Sequence, residues 1–447
     1  MPDGLTQIKR KTPLFMSKYY KIHILLNKYS DNSYESAVKS GGISHFSRYY
    51  LCKYFSDKSL QGSTMLTKMR ILSQAVGLAL VAGSASFAAH AEVTVLKANP
   101  QAGDPLSRLN FTVGGSIRPQ FNNLTGKDGS NAYRRNGFDG GTRFRFLADY
   151  YLFDDVSWVG YYEVGVDIPE AFNWDNHRAA KAHNTSRRML YTGFQSKTWG
   201  KLTFGQQNSV YYDVVGAKTD IWDYDMLAQA PGNGIKGDYD GSYRSRKMLK
   251  YKNTFGNADV LASYLFSDSE FLPGNGLRYK RQGGGSLGVD YHLSKDLTWG
   301  TAWNYTRADM RNPGNNDSKS WDQNIYGTSL SWKPDNWTFS FGGGYYQNFL
   351  TSKKVDVNKY FAGDAWGIEY LAGYTIPVAQ YGLKTFMPYV MGDRLEYVND
   401  RDYQRIDNGV GITFQLDYGF RVDYEHVFTS SSDNLGDMNL VRLRWDF

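Results

Sequence analysis

Hydrolysis needs a nucleophile beside a base, and a metal centre needs ligands at close spacing; this sequence offers neither pattern. Beyond residue 91 it holds four histidines, His177, His183, His292 and His426, none in a recognisable catalytic motif or at the i, i+4 spacing of a helical metal site. No cofactor and no metal are therefore expected. The charged residues that do recur in a pattern are cations. Arg118, Arg143, Arg145, Arg188 and Lys252 fall in stretches where apolar side chains return at every second position, and alternation assigns all five to the polar face. Fixed charges ranged along one face of a sheet make and break no bonds. They shape an electric field and set which ions come near.

Such residues need strands to carry them. Beyond residue 108 the alternation recurs in sixteen candidate strands, at about 109–121, 142–152, 156–168, 187–196, 200–207, 247–253, 258–267, 285–293, 297–306, 323–332, 337–348, 364–376, 383–397, 407–417, 419–429 and 438–447. Their connections alternate between tight polar turns (Leu152–Asp155, Leu293–Asp296, Lys333–Asn336) and long loops at 122–141, 169–186, 208–246, 268–284, 307–322 and 349–363. An even strand count with short turns at one end and long loops at the other is the pattern of an all-β, transmembrane, antiparallel up-and-down β-barrel.

Composition agrees. The chain has 35 Tyr, 25 Phe, 11 Trp and 46 Gly, yet its mean hydropathy is -0.53. A bundle of membrane helices would need repeated runs of about 20 apolar residues, and the only long apolar run lies near 71–89. In the strand 297–306, Leu297, Trp299, Trp303 and Tyr305 oppose Thr298, Gly300, Asn304 and Thr306; in 407–417, Val410, Ile412, Phe414 and Leu416 oppose Gly411, Thr413, Gln415 and Asp417. Lipid demands apolar side chains outside and full backbone pairing, so the polar face is expected to line water. Trp158, Trp332, Trp337 and Trp445, near strand ends, suit interfacial girdles.

The net charge of +7 is not a nucleic-acid footprint. Residues 1–91 hold 12 of the 51 basic and 4 of the 44 acidic residues, leaving 39 against 40 in the rest. The single cysteine, Cys52, also lies there. From Met65 the order of charged residues (Lys68, Arg70), apolar core (Ile71–Gly83) and small-x-small Ala89-His90-Ala91 reads as an export signal, with the mature chain starting at Glu92. Residues 1–64 show no periodic structure and are read as an extension from an upstream start codon chosen in error.

The run Arg188-Met189-Leu190-Tyr191-Thr192-Gly193-Phe194, then Gly200-Lys201-Leu202-Thr203-Phe204-Gly205-Gln206 and Val210-Tyr211-Tyr212-Asp213, resembles the general trimeric porins, as does a last strand in which Val441, Leu443 and Trp445 share a face with the final Phe447. The resemblance implies a Gram-negative outer-membrane barrel embedded in lipid, a homotrimer, passage of ions and small hydrophilic solutes, and delivery to the barrel-assembly machinery through Phe447. It also implies a third loop folded inward, here 208–246, with acids facing a basic wall. Arg143, Arg188 and Lys252 match that wall, while Asp220 matches the loop acid. Where many relatives continue with Pro-Glu-Phe-Gly-Gly-Asp, this chain reads Asp223-Tyr224-Asp225-Met226-Leu227, so Tyr224 stands for the glutamate and Asp223 or Asp225 is expected to supply the charge. The rival readings are a channel selective for sugar, phosphate or another anion, an outer-membrane enzyme, and an adhesive barrel with a plugged interior.

Overall fold

The computed structural model describes residues 92–125, 133–168, 185–220, 228–233, 237–274, 277–312, 317–349, 363–398, 404–432 and 436–447. The expected signal peptide and the extension before it lie outside the described residues, as do Asp223, Asp225, His177 and His183. The strands are β1 (Glu92–Leu96), β2 (Leu109–Ile117), β3 (Pro119–Thr125), β4 (Tyr133–Asp139), β5 (Arg143–Phe153), β6 (Val156–Val166), β7 (Thr185–Ser196), β8 (Gly200–Asn208), β9 (Arg244–Phe255), β10 (Ala258–Leu265), β11 (Phe271–Gly274), β12 (Leu277–His292), β13 (Leu297–Asn312), β14 (Asp317–Trp332), β15 (Trp337–Gln347), β16 (Asp364–Tyr374), β17 (Ile376–Gln380), β18 (Leu383–Val398), β19 (Gln404–Leu416), β20 (Phe420–Ser431) and β21 (Asp437–Asp446).

Every pairing is antiparallel between neighbours, and the sheet closes where β21 meets β2 and β3: Asp446 faces Ser116 and Leu440 faces Asn122. Counting β2 with β3, β4 with β5, β10 with β11 and β16 with β17 as single staves gives a closed barrel of sixteen, as the alternation predicts. Strand β1 is extra. Its Glu92 faces Gly114, while Phe447 exchanges backbone hydrogen bonds with the adjoining Gly115 at 2.7 and 3.1 Å. The end of the chain and residue 92 therefore stand one after the other along the same line beside β2.

Lipid-facing and inner faces separate cleanly on β13, where Trp299 is 44% exposed and Asn304 fully buried. At the short-turn end, Trp332 and Trp337 stack on Phe339, and Trp445 stacks on Phe420. Towards the other end, Tyr305 and Tyr345 donate hydroxyl hydrogen bonds to Asp322 and Asp364, both at 2.6 Å. Aromatic rings with one apolar body and one wet tip suit the two membrane interfaces. Two of the tight turns place Asp154 and Asp335 at φ 47° and 49°, a left-handed conformation that aspartate tolerates.

The expected loops at 268–284 and 307–322 are corrected. Much of each is strand, since β12 begins at Leu277 and β13 runs directly opposite β14 from Leu297–Trp332 up to Asn312–Asp317. These upper stretches carry Arg278, Lys280, Arg307 and Arg311 on exposed positions. Above the hydrocarbon no apolar outer face is required, so they lack the signal that marks a lipid-facing strand.

Candidate functional site: the lumen and its inner segment

After β8 the chain runs into the segment 209–243, whose described residues pack on the wall side chains opposite the lipid face. Val210, Tyr211, Val214 and Val215 are fully buried together with Leu261, Ala302, Ile325 and Tyr346. The inner wall is thus mixed over β10–β15, where the segment rests, with apolar residues among the polar ones rather than polar throughout. Ser329 Oγ donates to the Val214 carbonyl at 2.7 Å, Tyr346 OH to the Ala228 carbonyl at 2.9 Å, and the Ala228 amide to Glu369 Oε1 at 3.0 Å. Further along, Arg281 Nη1 donates to the Tyr239 carbonyl at 2.7 Å and Thr306 Oγ1 to the Asp240 carbonyl at 2.5 Å. Two ion pairs of opposite sense complete the attachment: wall Lys250 holds segment Asp213 at 2.7 Å, and segment Lys218 holds wall Asp290. Close approach needs a wall without side chains at one point in particular. A Cβ on Gly367 would lie 1.8 Å from the Ala228 carbonyl oxygen.

Half-way round the sheet, Arg118, Arg143, Arg145 and Arg188 come together on the inner face. Arg118, between β2 and β3, donates from Nε to Ser116 Oγ at 2.7 Å, with Arg143, Arg444 and Arg188 in its field. Arg143 neighbours Arg188 and Arg145. Arg145 approaches Glu92 at 3.7 Å. Arg188 bonds Glu163 at 2.5 Å, and Tyr161 OH donates to the second oxygen of that carboxylate at 2.9 Å. The expectation that alternation alone carries Arg188 inward is corrected: its parity is that of Leu190 and Phe194, both exposed. A bulge turns it inward instead: Met189 faces Glu163 and Arg187 faces Val164, leaving Arg188 as the additional residue that bends in.

Lys252 stands apart from that cluster, bound to Asp259 at 3.0 Å near the β9–β10 turn. Asp220 accepts a hydrogen bond from Tyr212 OH at the foot of the short helix Ala217–Thr219 and lies in the field of Glu369 on β16. Arg442 and Arg444, which alternation in the last strand turns toward the lumen opposite Val441, Leu443 and Trp445, extend the basic cluster on β21, and Arg444 pairs with Asp446 at 2.7 Å. Other charged residues join the lumen that sequence reasoning did not select. On β16–β20 an acidic arc comprises Glu369, Asp393, Asp407, Asp423 and Glu425, with Asp393 directly opposite Asp407 and Arg405 bound to Asp407 at 2.6 Å. Lys250 was legible, since it shares the inner face with Lys252 in Lys250-Tyr251-Lys252; its partner Asp213 was not. Among the described residues no group of three metal-ligating side chains converges.

The sequence profile of the family described as Gram-negative porin matches residues 77–368. This chain belongs to the Gram-negative porins. Outer membrane protein U of Vibrio parahaemolyticus is 30% identical over 154 residues, 34% of this chain and 43% of that protein. Outer membrane porin C 2 of Shigella flexneri is 24% identical over 325 residues, 68% of this chain and 81% of that one. The solved structure of Salmonella typhi OmpF in complex with daunomycin shares the fold at a TM-score of 0.55 and 15% identity, covering 76% of this chain and 98% of that one. The porin resides in the outer membrane and forms a channel there for small solutes. No helix among its described residues is long and apolar enough to cross a membrane.

Proposed function

We propose that this porin is a water-filled pore for passive diffusion of ions and small hydrophilic solutes, narrowed by the segment 209–243, and that it performs no catalytic step. The observation that carries the reading is the division of the inner face. One arc gathers Arg118, Arg143, Arg145 and Arg188 with Arg442 and Arg444, and the segment rests on the strands facing it, carrying Asp220. Asp223 and Asp225 follow Asp220 in sequence and are assigned to the same acidic edge; Lys252 is assigned a place on the basic side nearer the short turns. Opposed fixed charges across water create a transverse field that orients dipolar solutes and disfavours apolar ones. Three such pores are proposed to assemble as a homotrimer, a reading supported by the shared fold of Vibrio cholerae OmpT, solved in a trimer form (TM-score 0.50, 14% identity). Phe447 is proposed as the residue read by the assembly machinery.

Reversal potential under a salt gradient tests the division of charge. Asp220→Asn keeps the Tyr212 hydrogen bond and removes a negative charge, so selectivity moves toward anions. Arg188→Ala moves it toward cations twice over, because Glu163 loses its closest cation as the arginine goes. Both shifts shrink as the Debye length falls from about 10 Å at 0.1 M to about 3 Å at 1 M salt. If neither substitution changes selectivity at low salt, the eyelet assignment is wrong.

A further inference from the structure

Between the Arg188–Glu163 pair and the short-turn end, the inner wall holds a recess beside the Lys250–Asp213 pair that attaches the inner segment. It has a volume of 280 Å³ and is lined by Tyr161, Tyr191, Lys201, Asp213, Lys250 and Lys252 among others. A second hollow of 240 Å³ adjoins it, sharing Tyr161, Tyr191 and Lys201. Tyr161 and Tyr191 stack with centroids 5.0 Å apart and planes 10° from parallel. The Tyr161 hydroxyl is fixed on Glu163, so this aromatic floor is rigid.

The three lysines differ in what they already hold. Lys250 donates to Asp213 and to the Asn208 carbonyl, both at 2.7 Å. Lys252 holds Asp259 at 3.0 Å. Lys201 makes no ion pair or hydrogen bond within the described residues; its Nζ stands 5.6 Å from the centroid of the Tyr191 ring. Lys201 also lies directly opposite Lys252 across β8 and β9. Like charges placed opposite each other destabilise a sheet, and here burial and the nearby Lys250 add to the strain on the Lys201 charge, which Asp149 and Asp213 only partly offset. A visiting anion would relieve that repulsion and take up the free ammonium donors.

We propose that this recess is a binding subsite for a compact oxyanion, inorganic phosphate or a short dicarboxylate, gripped by Lys201 with help from Lys252 and Lys250 as it passes through the lumen. The proposal rests on the open-channel reading. A compact oxyanion suits the recess because several oxygens can meet several ammonium groups at once, which chloride cannot do. The stacked tyrosines bound the site on one side and leave the lysine side as its open, cationic wall.

The test uses the full-length porin in planar bilayers with potassium chloride carrying the current, and adds inorganic phosphate or succinate to the short-turn side. Either anion should reduce the current in a saturating manner. Lys201→Gln should weaken the half-saturating concentration roughly tenfold, the loss expected for one charge-assisted contact, and Lys201→Arg should keep it. Lys295→Gln, in the exposed turn between β12 and β13, should change nothing. Saturation by phosphate but not succinate, or the reverse, identifies the ligand and supports the site equally. Block that never saturates in the wild type, or that is the same in Lys201→Gln, overturns the proposal. A wild-type protein carrying no chloride current would overturn the channel reading first and this one with it. Should Lys201→Gln fail to assemble, binding of phosphate to detergent-solubilised wild-type protein, followed by phosphorus resonance, decides the matter: no saturable binding overturns the site.

Discussion

Gly367→Ala should release the inner segment from the wall without unfolding the barrel. The added Cβ would lie 1.8 Å from the Ala228 carbonyl oxygen and 2.8 Å from its carbon, so one side has to retreat by about 1.5 Å to restore ordinary contact. The wall strand β16 is held on both edges by β15 and β18, whereas Ala228 is held by its hydrogen bonds with Tyr346 and Glu369. The segment is therefore the side that moves. Overpacking of this kind costs about 1–3 kcal/mol, and the two hydrogen bonds it stretches are worth about 0.5–1.5 kcal/mol each. Even the lower figure shifts the docked-to-undocked ratio several-fold. Single-channel conductance should rise and become noisier, and the segment should become sensitive to protease while the barrel stays intact in detergent. Gly343→Ala is the matched control, since that glycine lies on the lipid face of β15, where an added Cβ meets Gly367 O and Ile368 at 3.2 Å. Unchanged conductance and unchanged protease resistance in Gly367→Ala would refute the argument that this contact sets the segment's position.

Three other outcomes follow from the sequence and the fold. Mass spectrometry of porin recovered from outer membranes should find Glu92, the first residue of β1, at the amino terminus, as the small-x-small Ala89-His90-Ala91 run implies; residues of 1–64 on the mature protein would refute it. Burial pushes the carboxyl of Asp240, in the inner segment, up to about 6; a group raised in the folded state stabilises docking below its unfolded value near 3.9 and loses that contribution as pH rises to about 6. Protease resistance of the segment should therefore fall between pH 4 and 6, and Asp240→Asn should flatten the profile; an unchanged slope in the variant would assign it elsewhere. Phe414→Lys, on the lipid face of β19 beside Phe386 and close to the turn that begins at Asp417, should impair assembly only mildly, by about 0–1 kcal/mol against about 2–4 kcal/mol at the bilayer midplane, read as a small loss of heat-resistant barrel on gels.

How much of this was legible depends on where a residue sits relative to the lipid. In β13, Leu297, Trp299 and Trp303 face hydrocarbon while Thr298, Gly300 and Asn304 do not, and two such different solvents write a period of two into the sequence. Tight turns were equally legible, because a chain that must reverse in a few residues needs polar, left-handed-tolerant side chains such as Asp154 and Asp335. The same rule explains the misses. Above the membrane the outer face of β12 meets water, with Arg278, Lys280 and Gln282 exposed, while the inner face is mixed: Tyr279 packs on Tyr239 and Met310 and Arg281 binds the carbonyls of Tyr239, Arg246 and Phe266, so the apolar-outward period of a lipid-facing strand is absent.

The interior was harder to read than the exterior, for a different reason. What lines a lumen depends on what lies against it, and strand alternation alone does not record the neighbour. Leu261, Ala302 and Ile325 face inward yet are apolar, because Val210, Tyr211 and Val214 cover them; a periodicity argument reads such positions as lipid contacts or as noise. Arg188 shows the limit at a single residue. Its inward aim comes from a one-residue bulge opposite Glu163, and nothing in the alternation of Leu190, Thr192 and Phe194 announces that bulge. Alternation is read as pointing Arg188 inward, and the resemblance to known porins selects it too, but its parity is that of the exposed Leu190 and Phe194. Charge pairs across the lumen are further still from sequence, since Lys250 and Asp213 meet only because the segment turns back onto β9. Register along a strand is local physics and can be read from neighbours two residues apart; the meeting of a loop with a distant wall is set by the closed sheet as a whole, and only the folded barrel reveals it.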